Sequence, residues 1–222
     1  MSGTGPKAGG PLYLLRLVRE GTAPVPLGIG ATESTLRPAR DYCAWLHSSG
    51  NDQVSKRCQR YIDRSPLGKT SDLPGPVGER NVYSLNARGR IATIPSTEPG
   101  LLLQIGAALA TGNEVVVETR ATGRSALASL PPSVATQITV VADWASAGLL
   151  AGILFEGDAE SLHAIDHMAA ELPGALVPIY ALTTDELIGG VLDYPLHWLV
   201  EERSVSTNTS AAGGNASLMA IG

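Results

Sequence analysis

The stretch RGRIATIPSTEPGLLLQIGAALATGNEVVVE, residues 88 to 118, decides how this chain is read. Arg90 to Ile94 is a short run with β-branched residues, and Pro95 ends it, because proline cannot donate to a strand ladder. Thr97 has the side chain of a helix N-cap. Glu98 and Pro99 suit the first turn, where negative charge meets the helix dipole and a missing N–H costs nothing. Leu101 to Ala110 is apolar on almost every side, which predicts a helix buried all round rather than half in water. Gly112-Asn113 stops it, and Val115 to Val117 reads as a second strand covered on both faces. Together these form one βαβ unit, predicted to have a right-handed crossover and parallel strands.

The whole composition agrees with a packed domain. A length of 222 residues leaves room for one large domain, or one domain plus an extension. Hydrophobic residues make up 44% and mean hydropathy is slightly positive, so a core can form. The net charge is −5 and the 16 Lys and Arg are scattered, which argues against a nucleic-acid partner: phosphate-backbone binding needs a clustered basic stripe. The only cysteines, Cys43 and Cys58, fit a reducing cytoplasm and a packing role. No secretory signal pattern opens the sequence, and the longest apolar run, around Leu101, is too short and too rich in small residues to span a bilayer. One Phe against 25 Gly and 15 Pro predicts many short elements joined by tight turns.

Toward the N-terminus, Met1 to Gly10 is too poor in apolar residues to build a core, so it is expected to follow another surface. Tyr13 to Val18 reads as one strand with no hairpin partner nearby, an abrupt start that suggests a chain cut from something larger. Gly21 to Gly30 is a Pro/Gly linker. Thr32 or Ser34 caps a helix to about Ser48, with Leu36, Ala39, Cys43 and Leu46 on one face. After Ser49-Gly50-Asn51 a second helix carries Val54, Cys58, Tyr61 and Ile62 on one face, giving a helical hairpin. Gly68 to Arg80 is read as a proline-rich loop fixed against another surface, followed by a strand over Asn81 to Leu85.

Toward the C-terminus, a short helix over Ser125 to Leu130 is ended by Pro131-Pro132, and Gln137 to Ala142 is a strand. Gly152 to Phe155 is a strand, and a helix from Asp158 to about Leu172 presents Leu162, Ile165, Met168 and Ala169. Leu176 to Ile179 is the next strand. Thr183 to Glu186 has capping-box spacing, and Pro195 to Glu202 is read as a last helix. The alternation of strand and helix predicts an α/β, doubly wound, mainly parallel sheet. Ser204, Val205, Ser206, Thr207, Asn208 and Thr209 alternate like a strand. Ser210 to Asn215, with Gly213, Gly214 and Asn215, is read as a small, flexible stretch. Leu218, Met219 and Ile221 are apolar where termini are usually polar, so this tail is expected to dock onto a surface.

Three features could carry chemistry, and each has a plainer reading. Gly28-Ile29-Gly30 is a lone Gly-x-Gly in a linker, a weak phosphate signal. His163 and His167, four apart, could share a metal, but no third ligand is recognisable; with Glu160 and Asp166 they read better as a solvated face. Gly213-Gly214-Asn215 could nest an anion, or simply let backbone approach another domain, which is favoured.

The βαβ unit resembles the nucleotide-binding domain of the aldehyde dehydrogenase superfamily. The resemblance is carried by Ala108-Leu109-Ala110-Thr111-Gly112-Asn113-Glu114-Val115-Val116, and by Phe155-Glu156-Gly157-Asp158, which looks like a decayed Phe-Thr-Gly-Ser turn. Ser2 to Leu14 is similar to the closing segment of glutamate semialdehyde dehydrogenases. Leu73 to Asn81 and Ser204 to Gly222 resemble the C-terminal region of the longer proline utilization A (PutA) proteins. The resemblance implies a degenerate aldehyde-dehydrogenase-type Rossmann domain, preceded by a helical hairpin and flanked by extended terminal segments. The implied division is 1–30, the end of an upstream dehydrogenase domain and linker; 31–80, hairpin and loop; 81–202, the degenerate domain; and 203–222, a docking tail. It implies a parent that oxidises proline to glutamate with FAD and NAD, cytoplasmic and open to peripheral attachment at the inner membrane. In such proteins the extra domain covers the internal passage between the two sites, and its tail reaches the dehydrogenase domain of the same or a neighbouring chain.

This chain departs from the chemistry of that superfamily. A thiolate nucleophile, a general base and oxyanion-holding amides are required, yet no cysteine follows Cys58. Ser96-Thr97 stands where the superfamily has its Trp-Asn turn. Glu118-Thr119 stands where it has a Lys near the adenosine ribose, and a carboxylate there repels a pyrophosphate. The expectation is a fragment with no catalytic residue, no bound cofactor and no metal, acting by docking; the alternative is a residual nucleotide or small-ligand site.

Overall fold

Strands buried along almost their whole length build the central layer. In the computed structural model, which describes residues 30–209, a five-stranded sheet is formed by β3 (Arg90–Ile94), β4 (Glu114–Glu118), β5 (Ile138–Val141), β6 (Gly152–Glu156) and β7 (Ile179–Leu182). Its order is β5-β4-β3-β6-β7 and every pairing is parallel. This is the order of a Rossmann-type sheet counted from β3, with the reversal point between β3 and β6. Ile91, Val115, Val117 and Leu154 point into one apolar layer, while Ala92, Val116 and Ile153 point into the other, so the sheet is buried on both faces.

The larger layer is helical. Helix α1 (Glu33–Ser48) is capped by Thr32, whose side chain accepts from the Thr35 amide, and α2 (Asp52–Asp63) folds back against it. Their buried residues include Leu36, Ala39, Cys43 and Leu46 on α1 and Cys58, Tyr61 and Ile62 on α2, which are the faces the periodicity selects. Between this hairpin and the sheet lies α3 (Glu98–Ala110), buried from Gly100 to Ala110 and capped by Thr97. Tyr42 of α1 donates its hydroxyl to the Leu102 carbonyl at 3.0 Å. Such burial pushes the Tyr42 phenol well above its ordinary pKa. Helix α4 (Pro132–Ala135) is a single turn. On the opposite face, α5 (Ala159–Ala170), capped by Asp158, contributes Ala169. Helix α6 (Thr184–Ile188) has both halves of the capping box, Thr183 and Glu186.

A second, antiparallel sheet of order β1-β2-β8 projects from this body. It comprises β1 (Thr70–Leu73), β2 (Glu79–Ala87) and β8 (Val200–Asn208), and its core is small: Tyr83, Leu85 and Val200.

Several sequence expectations are corrected. The stretch Gly68 to Arg80 is not all loop: Thr70–Leu73 pairs with β2, Thr70 opposite Ser84, and the prolines sit at the hairpin tip, where Val77 is fully exposed rather than fixed against a surface. The strand expected at Leu176 to Ile179 begins at Ile179, where pairing with β6 starts; Leu176 is exposed. Pro195 to Glu202 is not a helix. Leu196–Trp198 is one 3₁₀ turn, and Val200 to Glu202 are drawn into β8 by nine-residue pairing with β2. The short helix expected over Ser125 to Leu130 is present as the 3₁₀ helix Arg124–Ser129, whereas Pro132 opens α4 instead of only closing the preceding turn. On α5, Met168 is exposed and only Ala169 is fully buried. The readings of Met1 to Gly10, Tyr13 to Val18, the linker up to Ile29, and residues 210–222 lie outside the described residues.

Close approach of α2 to α3 depends on Gly106. A Cβ there would meet Cys58 Sγ at 2.2 Å, and Cys58 is itself buried. Gly106→Ala should therefore destabilise the chain by about 1–3 kcal/mol through overpacking, despite the better helix propensity of alanine. Urea unfolding should show that Cys58→Ala in the same chain recovers much of this loss. Additive effects of the two changes would contradict the contact.

Candidate functional site

Ligands of a doubly wound sheet bind beyond the carboxyl ends of its strands, at the point where strand order reverses. In this chain that place lies between the ends of β3 and β6, above the first turn of α3. The amides of a helix N-terminus point outward there and carry partial positive charge, an arrangement suited to an anion.

The chain fills this place itself. Glu156, the last residue of β6, is only 1% exposed. Its Oε2 accepts from the amides of Ser96 at 2.9 Å and Thr97 at 3.0 Å, and the Thr97 hydroxyl donates to its Oε1 at 2.9 Å. The Ser96 hydroxyl donates to the Glu156 carbonyl at 2.7 Å. Thr97 Oγ1 also accepts from the Gly100 amide at 3.0 Å, so one residue caps α3 and holds the carboxylate. Gly100 makes room: a Cβ at that position would stand 1.8 Å from Glu156 Oε2. Beneath, the Gln104 amide donates to the Tyr194 hydroxyl at 2.9 Å, and that hydroxyl donates to the Phe155 carbonyl at 2.9 Å. The sequence reading recognised Phe155-Glu156-Gly157-Asp158 as an altered turn but missed Glu156 as the occupant. The available signals were a lone carboxylate closing an apolar strand and a glycine in the first turn of α3.

Glu118 ends β4 beside this crevice. Its Oε1 accepts from the Trp144 amide at 3.1 Å and its Oε2 lies 3.4 Å from Arg120 Nε. Both carboxylates at the carboxyl edge thus accept backbone N–H groups. At the opposite end of the sheet, Asn113 is fully buried. It accepts from the Gly89 amide at 2.9 Å and donates to Thr111 Oγ1 and to the Leu199 carbonyl, each at 2.8 Å. The Gly-Asn that carries much of the family resemblance therefore ties α3, β3 and β8 together.

Among the other sequence candidates, Ser204 to Asn208 form the outer half of β8, paired residue by residue from Tyr83 to Glu79 of β2, and Thr209 donates its amide to the Gly78 carbonyl at 2.7 Å. All six residues from Ser204 to Thr209 are exposed, Val205 to 49%. Gly213, Gly214, Asn215, Leu218, Met219 and Ile221 lie outside the described residues, as do Gly28 and Ile29. The rings of His163 and His167 lie 5.3 Å apart, tilted by 43°, on the exposed face of α5, alongside exposed Glu160 and Asp166. Among the described residues, no group of three or more His, Cys, Asp or Glu side chains could hold a metal ion. Cys43 and Cys58 are buried free thiols in contact. Their hydrogen bond pulls Cys43 below its usual pKa; the same contact, then burial, pushes Cys58 well above it. No described helix is long and apolar enough to cross a membrane.

No family model matches the sequence. Bifunctional protein PutA of Rhizobium meliloti is 48% identical over 222 residues, covering 100% of this chain and 18% of that protein. The PutA of Escherichia coli is 34% identical over 235 residues, covering 100% of this chain and 17% of that protein. The chain thus spans less than a fifth of the length of the curated relatives it matches. Among solved structures, a point variant of Bradyrhizobium japonicum PutA superposes with a TM-score of 0.50 at 23% identity, over 69% of this chain and 20% of that one. A PutA with proline bound in remote sites gives a TM-score of 0.50 at 22% identity over the same shares. At these identities the structural likeness speaks for the fold alone.

Glu156→Ala should strip three donors of their acceptor and destabilise the chain by about 2–4 kcal/mol, the range for lost hydrogen bonds to a charged group in a partly buried place. Added sulfate should raise the thermal midpoint of Glu156→Ala more than that of the parent. Equal responses would mean that the carboxylate does not occupy an anion seat.

Proposed function

The chain matches the C-terminal 17–18% of the bifunctional PutA proteins, and from that premise we propose that it is a non-catalytic domain of such a protein. In this reading the domain keeps the nucleotide-binding shape of an aldehyde dehydrogenase without its reaction chemistry. It covers the passage between a FAD-dependent proline dehydrogenase site and an NAD-dependent glutamate semialdehyde dehydrogenase site, and it braces the latter.

The observation that carries the reading is the Glu156 carboxylate seated on the Ser96 and Thr97 amides. A dinucleotide's pyrophosphate would have to displace a fixed negative charge already hydrogen-bonded to the same donors. The missing nucleophile agrees: the two thiols lie on α1 and α2, buried on the hairpin side of α3. The docking surface is the outer half of the β1-β2-β8 sheet with residues 210–222 beyond it. Among the described residues β8 is the outer strand of its sheet, and the residues from Ser204 to Thr209 are exposed, features that favour packing on a dehydrogenase domain of the same or a neighbouring chain.

One observation favours a second reading, a residual nucleotide site. Glu118 ends the strand next to β3, where dinucleotide-binding sheets carry an acidic residue for the ribose hydroxyl, so a carboxylate that repels a pyrophosphate still suits a ribose contact. Its acceptor capacity is partly taken up by the Trp144 amide.

Removing residues 204–222 from the full-length protein should leave proline oxidation intact while coupled aldehyde oxidation falls by about tenfold, equivalent to about 1.4 kcal/mol of lost positioning. Unchanged coupled activity would defeat the docking role. Calorimetry of the 222-residue chain with NAD should give no binding heat up to about 1 mM, and saturable heat would instead favour the residual site.

A further inference from the structure

A second concavity lies on the hairpin side of the molecule, apart from the crevice. The last turn of α2, Pro66 and the segment from Asp193 to His197 line a half-open cavity of about 250 Å³. The volume suits a small molecule rather than a cofactor, since sites for drug-sized ligands begin near about 300 Å³.

The charges at this cavity do not cancel. Asp193 is the carboxylate in its wall, and Arg57 already neutralises it: Arg57 Nε donates to Asp193 Oδ1 at 3.1 Å, and Nη2 also reaches that oxygen. The Tyr61 hydroxyl donates to the same oxygen at 2.6 Å. Burial, followed by this bond, pushes the Tyr61 phenol well up, so it stays a donor. Arg57 further donates to the Leu187 and Leu192 carbonyls, which locks the wall to α2.

Arg60 and Arg64 also line the cavity, one helical turn apart, and both are exposed. Neither meets a carboxylate partner among the described residues. Arg88 and Arg124 lack one too, but they lie away from this cavity, and Arg88 donates to the Tyr180 hydroxyl and the Trp198 carbonyl; Arg37, Arg40, Arg57, Arg80, Arg90, Arg120 and Arg203 each meet a carboxylate. The plain reading is that cations favour a helix C-terminus. That accounts for one arginine better than for two, because like charges at this spacing repel by a few tenths of a kcal/mol. The floor between them is Tyr61, Pro66 and Leu196, which is largely apolar.

We propose that this cavity is a binding site for a short-chain dicarboxylate. One carboxylate would meet each guanidinium in forked hydrogen bonds, and the carbon chain would lie on the Tyr61–Pro66–Leu196 floor. The crevice at Glu156 plays no part in this, so the two readings stand or fall separately.

The test uses the 222-residue chain with succinate as probe, against sodium chloride at matched ionic strength to remove general screening. Succinate should raise the thermal midpoint saturably, with half-saturation at about 1 mM or below. Inorganic phosphate, which has no carbon chain, should require at least about tenfold more. The double variant Arg60→Gln/Arg64→Gln should lose the succinate response with its ligand-free midpoint kept, both side chains being exposed. Arg64→Lys, which keeps the charge and loses the fork, should weaken binding by about tenfold. Arg37→Gln on α1 should respond like the parent. Should the double variant misfold, Arg64→Lys against Arg37→Gln still decides. No saturable response, or equal responses in the Arg60 and Arg64 variants and the parent, would overturn the proposal.

Discussion

Helix α3 has no polar side to give to water, and that single constraint organises the molecule. From Gly100 to Ala110 every residue is buried, so the helix needs cover on all sides. The parallel sheet supplies one side and the α1–α2 hairpin the other, with α6 and the Arg124–Ser129 turn closing the flanks. Gly106 lets α2 come close, and Tyr42 reaches the α3 backbone from α1. The hairpin is therefore part of the same core as the sheet, because each buries the apolar surface of the same helix.

The two ends of α3 are used differently. At its C-terminus, Thr111, Gly112 and Asn113 turn the chain into β4, and Asn113 binds backbone from β3 and from the approach to β8. At its N-terminus, the donors that ligand-binding members of this architecture can offer to an anion are satisfied by Glu156. A carboxylate held by two backbone amides and a hydroxyl satisfies the helix end as a ligand would, yet it is covalently part of the chain. The same local physics can serve binding in one sequence and architecture in another, and the occupant decides which.

The antiparallel sheet has the opposite character. Its inner end packs through Tyr83, Leu85 and Val200, but the outer halves of β2 and β8 carry mostly exposed residues. A ribbon with two solvated faces gains little from burial, and small sheets gain independent stability by packing against something else. Within the proposed role, such a ribbon is suited to contribute a surface rather than a core.

The sequence by itself determined those features whose signals are local. The βαβ unit followed from an apolar run too complete for a surface helix, and the caps Thr32, Thr97, Asp158 and Thr183 each act on amides about three residues away. The hairpin faces followed from periodicity, and the motif ending at Asn113 and Val116 led to the family. What only the tertiary structure decided involves partners far along the chain. Glu156 meets Ser96 across 60 residues, and Arg57 meets Asp193 across 136. Thr70–Leu73 and Val200–Glu202 are strands because β2 lies between them, not because their own residues insist on it. A helix cap or an apolar stripe is written within one or two turns of chain. A strand edge, or the seat of a buried carboxylate, exists only once distant segments have been brought together.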